Sequence, residues 1–214
     1  IIEDPSLLKC LQNLAYDQFY CEHIYVFSTL SLREVLKNFK LEIFDVENTK
    51  THGGSNRYYI KKNINSLYKI SNRVKIEIKK ELHFGINKFS TYQTFAKKVK
   101  ISKNKLLKIF SSLSKKKLRI VGYGATAKSC TVLNYCGLGK SDIKYFYDTT
   151  SYKVNKYLPG SKILIKKYKK LNRKEIDVVF LGAWNFKKEI FKKEKQFIKS
   201  GGKFITHVPY PKII

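Results

Sequence analysis

Apolar positions open the chain at helical spacing: Leu7, Leu8, Leu11, Leu14 and Ala15 share one face and predict a helix over Leu7–Tyr20. Before it, Ile1-Ile2-Glu3-Asp4-Pro5 reads as the end of a buried strand. Ser31, with Glu34 following at capping-box spacing, predicts a second helix through Asn38. Two β-like runs, Leu41–Asn48 and Ser55–Ile60, flank Thr51-His52-Gly53-Gly54 and predict a hairpin.

From about Ser66 to Lys115 the period changes. Leu67, Ile70, Val74, Ile78 and Leu82, then Phe89, Phe95, Val99, Leu106, Ile109 and Leu113, predict two or three charged amphipathic helices broken near His83-Phe84-Gly85. Beyond them strands and helices alternate: strand Leu118–Val121, a helix through Tyr135 closed by Gly137, and strand Ile143–Tyr147 ending at Asp148. A short strand at Ile163–Ile165, strand Asp177–Leu181, helix Lys187–Lys199 and strand Lys203–Thr206 complete the series. Such alternation predicts a parallel sheet with helices on both faces.

Composition adds limits. With 43% hydrophobic residues the chain can bury a core, and no apolar run is long enough to span a bilayer. The reading is a cytoplasmic protein without membrane contact. The net charge of +28 invites a nucleic-acid reading. Almost all of the cations are lysines spread along the chain, however, and arginine, the residue suited to bidentate phosphate contacts, is scarce. No nucleic-acid partner is therefore expected. Cys10, Cys21, Cys130 and Cys136 form no C-x-x-C pair and read as reduced thiols, with no metal site in this chain. The lack of any methionine, even at position 1, suggests an amino-terminal truncation.

Two constellations carry chemistry. Gly122-Tyr123-Gly124-Ala125-Thr126-Ala127 fits G-x-G-x-x-A between a strand and a helix, with Asp148 ending the next strand. Such a loop lets backbone approach a diphosphate at a helix N-terminus, and the acid suits a ribose. The pattern alone does not separate a nicotinamide cofactor, S-adenosylmethionine and a nucleotide sugar, so an NAD-dependent oxidoreductase or a non-catalytic nucleotide-binding module stays open. Tyr20-Cys21-Glu22-His23 offers a phenol, a carboxylate and an imidazole, enough for general-base chemistry, though such a cluster is also an ordinary surface loop. His52 beside Gly53-Gly54-Ser55 and Arg57 is ambiguous in the same way.

These segments together resemble the sugar C-methyltransferase family. The resemblance is carried by Phe19–Ser28, Thr51–Tyr58, Gly122–Ala125 with Ala127-Lys128, Leu133–Tyr135, Tyr157–Gly160, Trp184–Phe186 and Gly201–Phe204, in order along the chain. It implies residues 1–65 as the end of a class I methyltransferase domain, 66–115 as a helical linker, and 116–214 as a Rossmann-like domain. It further implies an S-adenosylmethionine site and a zinc-binding domain in a preceding part, and a complete enzyme that is monomeric. The implied reaction methylates the carbon next to the keto group of a sugar on a nucleoside diphosphate. By position, the resemblance makes His23 the base, with Glu22 and Tyr20 orienting it or touching the sugar. His52 and Arg57 would line that cleft; Gly122, Tyr123, Gly124, Ala125 and Lys128 would cradle the diphosphate, with Asn134 and Asp148 contributing. Besides Cys21, which replaces a residue commonly His, two departures stand out: Ser129 where the family usually has Gly, and Gly182-Ala183-Trp184-Asn185 where an apolar-Pro-Trp-Asn run is usual.

Overall fold

The computed structural model describes residues 1–65 and 67–214, so Ser66, where the predicted linker begins, lies outside the described residues. The chain divides into two compact units, one of residues 1–15 and 21–97, the other of residues 16–20 and 98–214.

The first unit is built on an antiparallel sheet. Strands β1 (Ile2–Pro5), β2 (Leu41–Thr49) and β3 (Ser55–Lys62) lie in the order β1-β3-β2, so the predicted hairpin is present and β1 flanks it. Asp4 stands opposite Asn56, and Glu3 opposite Arg57. Helices α1 (Leu7–Gln12), α2 (Thr29–Lys37), α3 (Asn72–Phe84) and the start of α4 (Phe89–Lys115) complete the unit. Leu32, Leu36 and Val74 from the helices meet Ile43, Val46 and Tyr58 from the sheet in one buried cluster. The break near Gly85 falls between α3 and α4, as the change of period indicates.

Two boundaries differ from expectation. Helix α1 ends at Gln12, well short of Tyr20. Leu14 adopts φ 49°, its N–H donates to the Leu11 carbonyl and that of Ala15 to Cys10, closing the helix with a Schellman turn. A 3-10 turn at Tyr16–Gln18 follows. The apolar face therefore continues past the end of the helix. Helix α2 is capped by Ser28, not Ser31. The Ser28 hydroxyl accepts the Ser31 N–H at 3.0 Å while the Ser31 hydroxyl accepts that of Ser28, so serine takes the reciprocal place expected of a glutamate. Glu34 instead takes the Lys37 ammonium on the exposed face.

The second unit holds a six-stranded sheet in the order β6-β5-β4-β7-β8-β9. Its strands are β4 (Ile120–Tyr123), β5 (Phe146–Asp148), β6 (Ile165–Lys167), β7 (Val178–Leu181), β8 (Lys203–Thr206) and β9 (Lys212–Ile213). All pairings are parallel except β8 with β9, a closing strand that the sequence pattern did not announce. This is an α/β Rossmann-like architecture. The chain runs outward from β4 to β6, then returns to β7 on the other side of β4, placing the topological switch between β4 and β7.

Strand β7 is buried on both faces, which is why it reads as an unbroken apolar run. Val179 and Leu181 pack with Val121, Tyr123 and Phe204 on one side. Phe180 points the other way, its ring 6.0 Å from that of Phe110 on the carboxy-terminal part of α4. Helix α5 (Ala127–Cys136) follows β4; the helix predicted over Lys187–Lys199 is broken at Glu194 into α6 (Lys187–Lys193) and α7 (Lys195–Lys199). At that break the buried Glu194 carboxylate turns inward to accept the Tyr168 hydroxyl at 2.6 Å and the Leu171 N–H.

Candidate functional site

In the first unit, the structure brings His23 and His52 together. Their ring centroids are 5.7 Å apart and the planes nearly perpendicular, at 87°. His52 sits in the 3-10 turn Thr51–Gly53 joining β2 to β3, with φ 53° and ψ 16°. That conformation is uncommon for a residue with a side chain, although His adopts it more readily than most. The turn is laced to its surroundings. The Glu3 carboxylate accepts the hydroxyls of Thr49 and Thr51 at 3.2 and 2.6 Å, Gly53 accepts the Asn13 amide, and Gly54 accepts the Ser6 N–H. The Leu7 N–H donates to the Phe27 carbonyl at 3.1 Å, anchoring the segment that follows His23.

Asp4 joins this pair. Burial pushes its carboxyl above the usual carboxylate range, opposed by the Phe27 N–H and then by the charges of His23 and His52. Its Oδ2 is buried and has no hydrogen-bond partner among the described residues. Sequence reasoning missed Asp4, because a carboxylate at a strand end looks like an edge residue. Only the pairing of β1 with β3 carries it to the histidine turn.

The remaining predicted residues of this cluster are placed differently. Glu22 is exposed, and Tyr20 falls in the second unit. Arg57 donates from Nε to Glu3 at 2.8 Å and lies 3.7 Å from Glu47, so acidic neighbours on β1 and β2 already hold its guanidinium.

In the second unit, a crevice of about 370 Å³ opens beside the carboxyl ends of β4, β5 and β7, where ligands of open parallel sheets bind. Tyr123, Asp148, Lys153, Tyr168, Glu189 and Lys193 are among its lining residues. Lys193 places its ammonium 3.6 Å from the centre of the Tyr168 ring. Burial, then the Glu194 carboxylate, pushes the Tyr123 phenol up to about 12, so it remains a neutral donor at ordinary pH. Lys153, a crevice residue that the motif search passed over, donates to the Ala125 carbonyl at 3.0 Å.

The glycine loop lies at the edge of this crevice, and its glycines are first of all packing devices. A side chain on Gly122 would enter the Phe146 ring. Gly124 has φ 85°, and a Cβ there would stand 2.6 Å from that of Ala183. Asp148 accepts the Ala125 N–H and the Thr150 N–H, each at 2.8 Å, so its carboxylate fastens the loop to β5. Thr126 caps α5 by accepting the Ser129 N–H. Asn134 donates to the Pro159 carbonyl and supports the turn at Gly160. Lys128 is buried, with its ammonium 6.0 Å from the Trp184 ring centre.

The two departures from the family pattern meet in space. The Ser129 hydroxyl donates to the Gly124 carbonyl at 2.8 Å and fills the place where a side chain on Gly182 would begin, 2.0 Å from that virtual Cβ. A serine for glycine on α5 is thus matched by a glycine for an apolar residue after β7.

A buried polar triad in this unit was also not anticipated. Asp17 Oδ2 accepts the Trp184 indole N–H at 2.6 Å and lies 2.8 Å from His207 Nε2. Asp17 and His207 are fully buried. Among the described residues, no group of three or more His, Cys, Asp or Glu side chains is placed to hold a metal ion, and no helix is long and apolar enough to cross a membrane.

The C-methyltransferase NovU of Streptomyces niveus is 31% identical over 213 residues, an alignment covering 100% of this chain and 50% of that protein. The chain therefore spans about half the length of that relative. The family described as the C-methyltransferase C-terminal domain matches residues 50–209, a stretch that runs from the histidine turn to just beyond β8. The chain belongs to that family of C-methyltransferase carboxy-terminal domains.

Proposed function

We propose that this protein serves methyl transfer from S-adenosylmethionine to a sugar carbon next to a keto group, the sugar being linked to a nucleoside diphosphate. His23 is the base of this reading. It takes the α-proton: the C–H bond breaks, an N–H bond forms on the imidazole, and the electron pair stays on the sugar as an enolate. An imidazole suits the task because its ordinary pKa lies near working pH. The observation that carries the reading is the pairing of His23 with His52 beside Asp4, in a chain of this family.

The crevice beside β4, β5 and β7 is the proposed seat of the nucleotide part. Lys153 and Lys193 supply positive charge, and Tyr123 and Tyr168 supply ring faces and hydroxyls. The methyl donor is assigned no residue of this chain. The one acid at the glycine loop, Asp148, is turned onto the loop's own backbone, which is not how an adenosyl ribose is held.

Calorimetric titration of the chain with thymidine diphosphate, NAD and S-adenosylmethionine in turn tests the nucleotide site. Heat from thymidine diphosphate alone is expected. Heat from NAD alone would return the glycine loop to oxidoreductase chemistry, the second reading of the motif. The base is tested separately, by His23→Ala in a methyl-transfer assay of the longest form of the protein. Turnover should be abolished while nucleotide affinity is kept; unchanged turnover would remove His23 from the mechanism.

A further inference from the structure

We infer that Asp4 and His52 are positioning residues for His23, the three forming a relay in which one carboxylate holds a proton on a pair of imidazoles. The inference deepens the proposed function and rests on His23 as its base. Three observations lead to it. First, the imidazoles of His23 and His52 meet edge to face at 5.7 Å, although they stand 29 positions apart in the numbering of the chain. Second, His52 is held at φ 53°, in a turn fastened to β1 and α1 by side-chain and backbone bonds on both flanks. A non-glycine residue in that region persists where its surroundings impose it, commonly at functional sites. Third, Asp4 buries a carboxylate oxygen that no donor among the described residues satisfies, within electrostatic reach of both rings.

A buried, incompletely bonded carboxylate is costly unless a positive charge lies close by. The imidazolium that forms when His23 takes a proton is such a charge, and His52 lets it be shared. Proton uptake at His23 is thereby favoured by Asp4, and the ring is kept from turning by its neighbour. The other titratable side chains on the segments gathered here include Glu3 on β1, Lys9 on α1, Cys21, Glu22 and Tyr25 beside His23, Lys50 beside His52, and Arg57 on β3. Glu3 is engaged with Thr51 and Arg57, and the Lys9 stem packs on Gly54. Asp4 is the carboxylate on which the charges of both histidines act.

The test is titration of the histidine rings by nuclear magnetic resonance in this chain, with the exposed His83 as internal reference. Asp4→Asn should lower the pKa of His23 and of His52 by about half a unit or more, the scale expected of a nearby opposite charge removed, and leave His83 in place. His52→Asn, which tolerates the left-handed turn, should also shift His23, and it decides the matter if Asp4→Asn does not fold. A His23 pKa that stays within about 0.2 unit in the folded variants overturns the relay.

Activity provides the second readout. In the methyl-transfer assay Asp4→Asn should lower kcat about 10- to 100-fold with KM for the sugar nucleotide unchanged. A shifted His23 pKa with unaltered kcat would overturn the positioning role. An inactive wild-type protein would sink the methyl-transfer reading, while the ring titration would still decide whether the three residues are coupled.

Discussion

The indole N–H of Trp184 donates to Asp17 Oδ2 at 2.6 Å, across 167 positions of sequence, and the same oxygen meets His207 Nε2. This one carboxylate fastens the short 3-10 turn at Tyr16–Gln18 to the segments that leave β7 and β8. Removing it leaves two buried nitrogen groups without an acceptor. Asp17→Ala should therefore destabilise the protein by about 3 kcal/mol, the range for breaking a buried, charge-assisted network. Asp17→Asn keeps one acceptor oxygen and should cost less. Urea unfolding followed by Trp184 fluorescence measures both; equal losses would mean that the acceptor oxygen kept in Asp17→Asn contributes nothing without the charge.

Glu81 of α3 performs a capping task for another helix. Its two oxygens accept the N–H groups of Thr29 and Leu30, at 2.6 and 2.9 Å, in the first turn of α2. The carboxyl is fully buried, and that burial pushes its pKa up. Glu81→Ala strips two buried donors at once and should cost about 2–4 kcal/mol. The exposed Glu34→Ala, whose ion pair with Lys37 is screened by water, should change stability far less. Thermal unfolding of the two variants side by side checks the contrast.

Ser129 and Gly182 should be energetically coupled. Gly182→Ala puts a methyl group onto the Ser129 hydroxyl and should destabilise by about 1–3 kcal/mol, the usual cost of overpacking. The same change in a Ser129→Gly background should cost less, with a coupling energy of at least about 0.5 kcal/mol in a double-mutant cycle. Strict additivity would mean that the two departures from the family pattern are independent.

Acid should weaken the fold through its ion pairs. The Arg73 guanidinium, with help from Ser71 and the Val46 N–H, lowers the Asp45 carboxyl to about 2. Arg119 and Arg173 likewise hold Asp177 well below the carboxylate range. A carboxylate with a lowered folded-state pKa contributes stability above its unfolded value, lost as pH falls through the folded one. For Asp45 that window runs from the ordinary aspartate value of 3.8 down to about 2. Urea midpoints taken at successive pH values should fall across this window in the wild type, and fall less in Arg73→Met. Parallel curves would remove the pair from the account of acid sensitivity.

Much of this molecule is legible in the order of its residues. Alternating apolar strands and amphipathic helices after Leu118 gave the parallel sheet, because a strand buried on both faces must be apolar throughout and a covering helix must be apolar on one. The hairpin around His52 and the break at Gly85 are local, decided by turn chemistry within a few positions. So is the Gly-Tyr-Gly-Ala loop between β4 and α5. The resemblance carried by these blocks points to the C-methyltransferase family, to which the chain belongs.

Other features belong to tertiary structure alone. Helix α1 stops at Gln12 despite apolar spacing that continues, closed by the positive φ of Leu14, and Asp17 in the 3-10 turn that follows lies between Trp184 and His207. Asp4 becomes a partner of two histidines through strand pairing, and Glu81 becomes a cap through the packing of α3 on α2. Hydrophobic periodicity reports which face of an element is buried. It says nothing about which distant polar group will share that burial, since a hydrogen bond between remote residues leaves no period in the sequence.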